Sequence, residues 1–216
     1  YTKVNKSFSL MIKKFLDYED LIWVHDYHFL LIARELRKLK CTQKIGFFLH
    51  IPWPSKEILT ALPDHRELVD ALLDFDLIGF QTRKHVLTFL DYVISELGGS
   101  VEPDGSVFAL GKKSRVKHFP ISIDTKKIIK ISEGTDNSSQ VKRLVKSIKT
   151  DKLIVGVDRL DYTKGLENRF AAYNHLLNNH SEHIRSTTLL QIAPTSRGSV
   201  FQYKEIRKKL ELSAGK

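Results

Sequence analysis

The strongest constraint on this chain is a repeated unit: a short β-branched or aromatic run, a polar loop, then apolar residues at helical spacing. LIWVH at 21–25 leads toward a helix over 30–39, and KIGFFLH at 44–50 leads through a proline loop to a helix over 56–62. DLIGFQ at 76–81 precedes a helix over 84–97, and residues 107–110 and 115–119, parted by Gly111-Lys-Lys-Ser, read as a hairpin. Strands buried on both faces look like this, so the expectation is an α/β fold with parallel sheets. Ligands on such sheets sit at the carboxyl ends of strands, which directs attention to the loops that follow them.

From 121 to 140 the pattern lapses into scattered isoleucines followed by Gly134, Asp136, Asn137, Ser138 and Ser139, the expected connection between two domains, 1–123 and 124–216. A second series follows, with strands at 153–157 and 187–192 and helices at 166–177 and 200–212. No apolar run approaches the ~20 residues a membrane helix needs, no secretory signal is visible, and Cys41 is the only cysteine, so the cytoplasm is the default compartment. The chain opens at Tyr1, its one methionine is Met11, and it stops at Ser213-Ala-Gly-Lys, so a portion of a longer protein is expected.

The formal charge of +10 fits either nucleic acid or small phosphorylated substrates. Most of the excess lies in runs such as Arg37 to Lys40 and Lys112 to Lys117, which read as solvated faces, and no nucleic-acid recognition motif accompanies them.

Four strand ends carry polar clusters. In His25-Asp26-Tyr27-His28 a metal is one reading and helix capping another; the spacing lacks the i, i+4 pair of a helical metal site. A carboxylate that accepts hydrogen bonds from substrate hydroxyls fits Asp26 better. His50 stands at the start of a loop stiffened by Pro52 and Pro54, which favours a positioned hydrogen-bonding group. In VDRLDYTKG at 157–165, Arg159 and Lys164 flank a turn at a helix start, where an anion is favoured; the competing reading is an Arg–Asp ion pair that pins the loop. Arg197 beside Gly198 suits a phosphate, although a solvated loop arginine is the commoner explanation.

Taken together, WVHDYH (23–28), FLHIPWP (48–54), Glu57 with Leu62-Pro63, DLIGFQ (76–81), Phe119-Pro-Ile, VDRLDYTKG (157–165) and QIAPTSRG (191–198) resemble the trehalose-6-phosphate synthases. These are two-domain retaining glycosyltransferases of the GT-B type. The resemblance implies portions of two Rossmann-like domains, acceptor-side then donor-side, and transfer of glucose from UDP-glucose to glucose 6-phosphate. It implies that Arg159, Lys164 and His50 serve the donor and the chemistry, with Arg159 and Lys164 on its diphosphate and His50 close to the transferred glucose. Asp26, Gln81 and Arg197 would serve the acceptor. It implies no metal and no cofactor. The expected partners are a nucleotide sugar and a sugar phosphate rather than nucleic acid or membrane, and a homo-oligomer stays open. A glucosylglycerol-phosphate synthase-like transferase and a non-catalytic synthase-like subunit stand as alternatives. Family members also carry an N-terminal substrate loop and C-terminal nucleotide-binding segments that do not occur in these residues, and Trp53 stands where phenylalanine is common.

Overall fold

A computed structural model of the chain describes residues 1–135, 138–195 and 201–215. Two compact units emerge, Tyr1–Ile123 and Asp124–Lys216.

The first unit is built on a sheet with strand order β1-β2-β3-β6-β5-β4. Its strands are β1 (Leu21–His25), β2 (Lys44–Leu49), β3 (Leu77–Phe80), β4 (Ser100–Val101), β5 (Ser106–Ala109) and β6 (Lys112–His118). The β1, β2, β3 and β6 strands run parallel, as expected of this α/β fold, and β4, β5 and β6 pair antiparallel, β5 and β6 being the hairpin read from the sequence. The reason is local: Leu110 and Gly111 take positive φ values of 53° and 74° and fold β5 straight back onto β6, which leaves no room for a crossover helix. The preceding helices are α1 (Thr2–Lys13), α2 (Ile32–Lys38), α3 (Lys56–Leu59), α4 (His65–Leu72) and α5 (Arg83–Leu97). Thr82 caps α5 by accepting from the His85 N–H at 3.3 Å, and Gly98 closes it in the left-handed conformation.

One sheet face is dry. Ile45, Phe47, Ile78 and Phe80 meet Leu36, Leu72 and Phe89 there, all essentially inaccessible to solvent. Each such side chain contributes ~1.5–3 kcal/mol through burial. The opposite face carries Leu21, Trp23 and His25, the alternate residues of β1, and is open. Most of the basic residues in the runs Arg37 to Lys40 and Lys112 to Lys117 are exposed, as expected, and Arg37 and Lys112 are the half-buried exceptions. Arg37 reaches Asp76 at 2.8 Å, and Lys112 joins Asp70 and Asp74, both at 2.8 Å, so carboxylates of the helix layer and a strand start hold these two.

In the second unit α6 (Thr125–Thr135) lies within the stretch 121–140 expected as an irregular connection, and α7 (Ser139–Ser147) begins at its end. Neither helix has a buried residue, although Val141, Leu144 and Val145 of α7 recur at helical spacing. Strands β7 (Lys152–Val157) and β8 (Thr187–Ile192) pair in parallel, with α8 (Leu166–Asn179) between them and α9 (Phe201–Ala214) after them. Leu160, Leu166, Ile206 and Leu210 form the small core that anchors the β7–α8 loop beneath these helices. Among the described residues no helix is long and apolar enough to cross a membrane.

Candidate active site

In the first unit the candidate residues gather at the carboxyl ends of β1, β2 and β3. Pairing of His25 with Phe48 and of Leu49 with Phe80 brings Asp26, His50 and Gln81 to the same edge of the sheet. Asp26 has φ 68° and ψ 171°, a region nearly reserved for glycine, at a cost of ~1–3 kcal/mol. Its N–H extends the β1–β2 ladder to the Phe48 carbonyl at 2.8 Å, and its carboxylate accepts from the Tyr27 N–H at 3.1 Å. The capping role considered from sequence is therefore real, but over a three-residue turn, Tyr27–Phe29, rather than a full helix. Strained backbone of this kind clusters at ligand-binding positions.

His50 is exposed at the start of its loop, and the loop is held from below by Trp53, whose ring meets Phe80 and Phe89 at 5.7 and 5.2 Å. The stiffness read from Pro52 and Pro54 thus has an anchor in the core. His50 Nε2 lies 2.9 Å from His25 Nδ1, a pairing that the sequence reading missed. Only the register of β1 against β2 reveals it. Gln81 accepts the Ile121 N–H through Oε1 at 3.1 Å, so this side chain ties down the residues after β6 and keeps its amide NH2 group for a ligand. A concavity of about 1090 Å³ opens over the uncovered sheet face, lined among others by Trp23, His25, Phe48, His50, His118 and Phe119. Among the described residues no three or more His, Cys, Asp or Glu side chains gather as metal ligands.

The second unit holds the loop between β7 and α8. Asp158 N–H reaches the Ile192 carbonyl at 3.1 Å and Leu160 N–H reaches Pro194 at 2.9 Å, which stitches this loop to the one after β8. Asp161 is buried and accepts from the Thr163 N–H at 3.0 Å, the Thr163 hydroxyl at 2.9 Å and the Tyr203 hydroxyl at 3.1 Å. The Thr163 N–H first, then its hydroxyl, hold the Asp161 carboxyl below the ordinary range; the Tyr203 hydroxyl and Arg159 add to this, and desolvation opposes it. Gly165 then turns the chain into α8 with φ 62°, a conformation that any Cβ would strain.

Two arginines in this region have opposite fates. Arg169 is tied to Asp158 at 2.9 Å and to the Gln191 side chain at 2.5 Å. Gly156 leaves room for that pair, because a Cβ there would lie 2.3 Å from Gln191 Oε1 and 2.6 Å from Arg169 Nη1 and would push the two side chains aside. Arg159, by contrast, stays 60% exposed with its nearest nitrogen 4.0 Å from an Asp161 oxygen. Asp161 is held mainly by Thr163 and Tyr203, so the pinning pair of Arg159 with Asp161 is loose, and the tighter ion pair at this loop is Arg169 with Asp158. Lys164 is exposed as well, and no ion pair or side-chain hydrogen bond engages it among the described residues. Arg197 lies outside the described residues.

The model of "Glycosyltransferase family 20" matches residues 1–216. The chain belongs to glycosyltransferase family 20. It is 42% identical, over its whole length, to the trehalose-6-phosphate synthase of Cronobacter sakazakii and covers 45% of that protein. Identity to the enzyme of the same name from Salmonella choleraesuis is 43%, again over the whole chain and 46% of the relative. The chain thus spans about half the length of the curated relatives it matches. Among solved structures, the UDP-forming α,α-trehalose-phosphate synthase of Burkholderia xenovorans in complex with glucose 6-phosphate aligns with a TM-score of 0.78 at 38% identity, over 99% of this chain and 48% of that one. An E. coli structure described as bound with UDP-2-fluoro glucose aligns at 0.77 and 42%, over 100% and 48%. The family 20 chain is accordingly α/β of the GT-B type, as the motifs implied.

Proposed function

We propose that this family 20 chain serves the transfer of glucose from UDP-glucose to glucose 6-phosphate, with retention, giving trehalose 6-phosphate and UDP. The observation that carries this reading is the pair Arg159 and Lys164, two cations left outward in a loop whose own acid, Asp161, is occupied by Thr163 and Tyr203. Preorganised cations are worth most where negative charge develops, and in this reaction that is the departing diphosphate. The N–H groups opening α8 lie next to the same loop and favour the same charge.

In this reading the acceptor-side domain is 1–123 and the donor-side domain 124–216. Asp26 accepts hydrogen bonds from acceptor hydroxyls, His50 lies against the transferred glucose, Gln81 offers its amide N–H group to the acceptor, and Arg197 takes the acceptor's phosphate. Orientation of both sugars supplies the entropic part of the rate enhancement. The relatives named above, one with glucose 6-phosphate and one with a UDP-sugar analogue, support the choice of substrates.

The test is product analysis with the intact protein, UDP-glucose and a panel of phosphorylated acceptors. Trehalose 6-phosphate and UDP in equal amounts with glucose 6-phosphate support the proposal. Faster turnover of another phosphorylated acceptor, or none with any acceptor, rejects it.

A further inference from the structure

His25 closes β1 inside the Trp23 to His28 motif and has no part in the reading above. Its Nδ1 stands 2.9 Å from His50 Nε2, with the rings stacked at 5.2 Å and 30°. Aromatic rings flank the pair on both sides: Trp23 lies 4.3 Å from the His25 ring, and Phe48 meets the His50 ring edge-on at 4.8 Å and 77°. The backbone beneath is fixed too, because the Asp26 N–H carries the β1–β2 ladder one residue beyond His25.

Two imidazoles at this distance form a hydrogen bond only when one gives an N–H and the other a lone pair. His50 Nε2 is thereby committed to His25. Nδ1 becomes the ring atom of His50 left for a ligand, and its protonation is the reverse of that at Nε2 in the neutral ring. We propose that His25 is a positioning residue that sets the tilt and the tautomer of His50, so that one sugar hydroxyl meets a ring nitrogen of fixed donor or acceptor character. This rests on the reading that His50 lies against the transferred glucose. An unlocked ring would present two tautomers and several tilts, and a fraction of encounters would be mispaired.

The experiment uses the intact protein with ring-15N histidine, long-range 1H–15N spectra, and steady-state kinetics with UDP-glucose and glucose 6-phosphate. His50→Gln identifies the His50 signals. In the unsubstituted protein His50 is expected to show one protonated and one bare ring nitrogen. His25→Phe keeps a ring beside Trp23 but removes both nitrogens; the His50 signals should then average, and kcat should fall about tenfold, the worth of one lost hydrogen bond, with KM changed less than about twofold. His25→Asn puts an amide atom where Nδ1 stands and should restore both readouts. Averaged His50 signals before any substitution, unchanged signals and kcat in His25→Phe, or no difference between the Asn and Phe variants would each overturn the proposal. An unlocked His50 in an active synthase sinks this inference alone. A locked His50 in a protein that transfers no glucose rejects the proposed function, and with it the catalytic part of the inference.

Discussion

Asp76 opens the DLIGFQ motif, yet it stands at the amino end of β3, away from the ligand edge, and its work is structural. Its Oδ2 accepts from Arg37 at 2.8 Å and from the Ile45 N–H at 2.8 Å, while Oδ1 accepts from Lys44 at 2.9 Å. The three donors differ in worth. Ile45 is fully buried, so orphaning its N–H costs ~1–3 kcal/mol. The Arg37 bond is charge-assisted, but both side chains are about 30% exposed, which halves its worth to ~1 kcal/mol. Lys44 is 77% exposed and adds close to nothing. Asp76→Ala should therefore cost ~2–4 kcal/mol. Asp76→Asn can keep its oxygen toward Arg37 and Ile45 and turn its amide toward the exposed Lys44, so it should cost ~1 kcal/mol, and Lys44→Ala under ~0.5 kcal/mol. Both tryptophans, Trp23 and Trp53, lie in the first unit, so their fluorescence reports its unfolding in urea. With m near ~2 kcal/mol/M, Asp76→Ala should lower the midpoint by ~1–2 M. A Lys44→Ala loss equal to that of Asp76→Ala, or no difference between Asn and Ala at 76, would refute this ordering.

Further outcomes follow from the core and the donor-side loop. Phe89→Ala removes a fully buried ring packed on Trp53 and Phe80 and should cost ~3–5 kcal/mol in the same urea assay. Gly165→Ala puts a Cβ on a residue with φ 62° and should destabilise the start of α8 by ~1–2 kcal/mol, measured by amide exchange of that helix. Asp161 has a folded pKa below its unfolded value of ~3.9, so the stability it lends is present above that value and lost as pH falls through the lowered folded pKa. Protection of the Thr163 amide, corrected for intrinsic exchange, should be flat from pH 7 to pH 5 and decline below pH ~4, and Asp161→Asn should remove the pH dependence.

Much of this architecture was legible in the residues because buried parallel strands write themselves as uninterrupted β-branched and aromatic runs. The strands expected within 44–50 and 76–81 appear at 44–49 and 77–80, mostly buried, and the helices after them start within a residue of expectation. What escaped had no such imprint. Helix α6 buries nothing, so Ile128, Ile129 and Ile131 looked like loop scatter. Helix α4 hides in a charged stretch that buries only Val69, Ala71 and Leu72. Within the candidate site, the residue types were readable from their place at strand ends, but their partners were not. The contact of His25 with His50, the bond from Ile121 to Gln81 and the clamp of Tyr203 on Asp161 span 25, 40 and 42 residues. Each depends on register or helix docking that local spacing does not encode. Arg159 and Arg169 make the same point, since adjacent motif context favoured one as ligand and only geometry separates it from the other.

The central claim is that Arg159 and Lys164 grip a diphosphate, and the most direct test is the turnover of UDP-glucose by the intact protein carrying Arg159→Ala. Loss of one charge-assisted contact of ~1.5–3 kcal/mol predicts a fall of ~10- to 150-fold in kcat/KM, together with weaker UDP binding and an unchanged fold by circular dichroism. Turnover and UDP affinity both within about twofold of the unsubstituted protein would contradict the account.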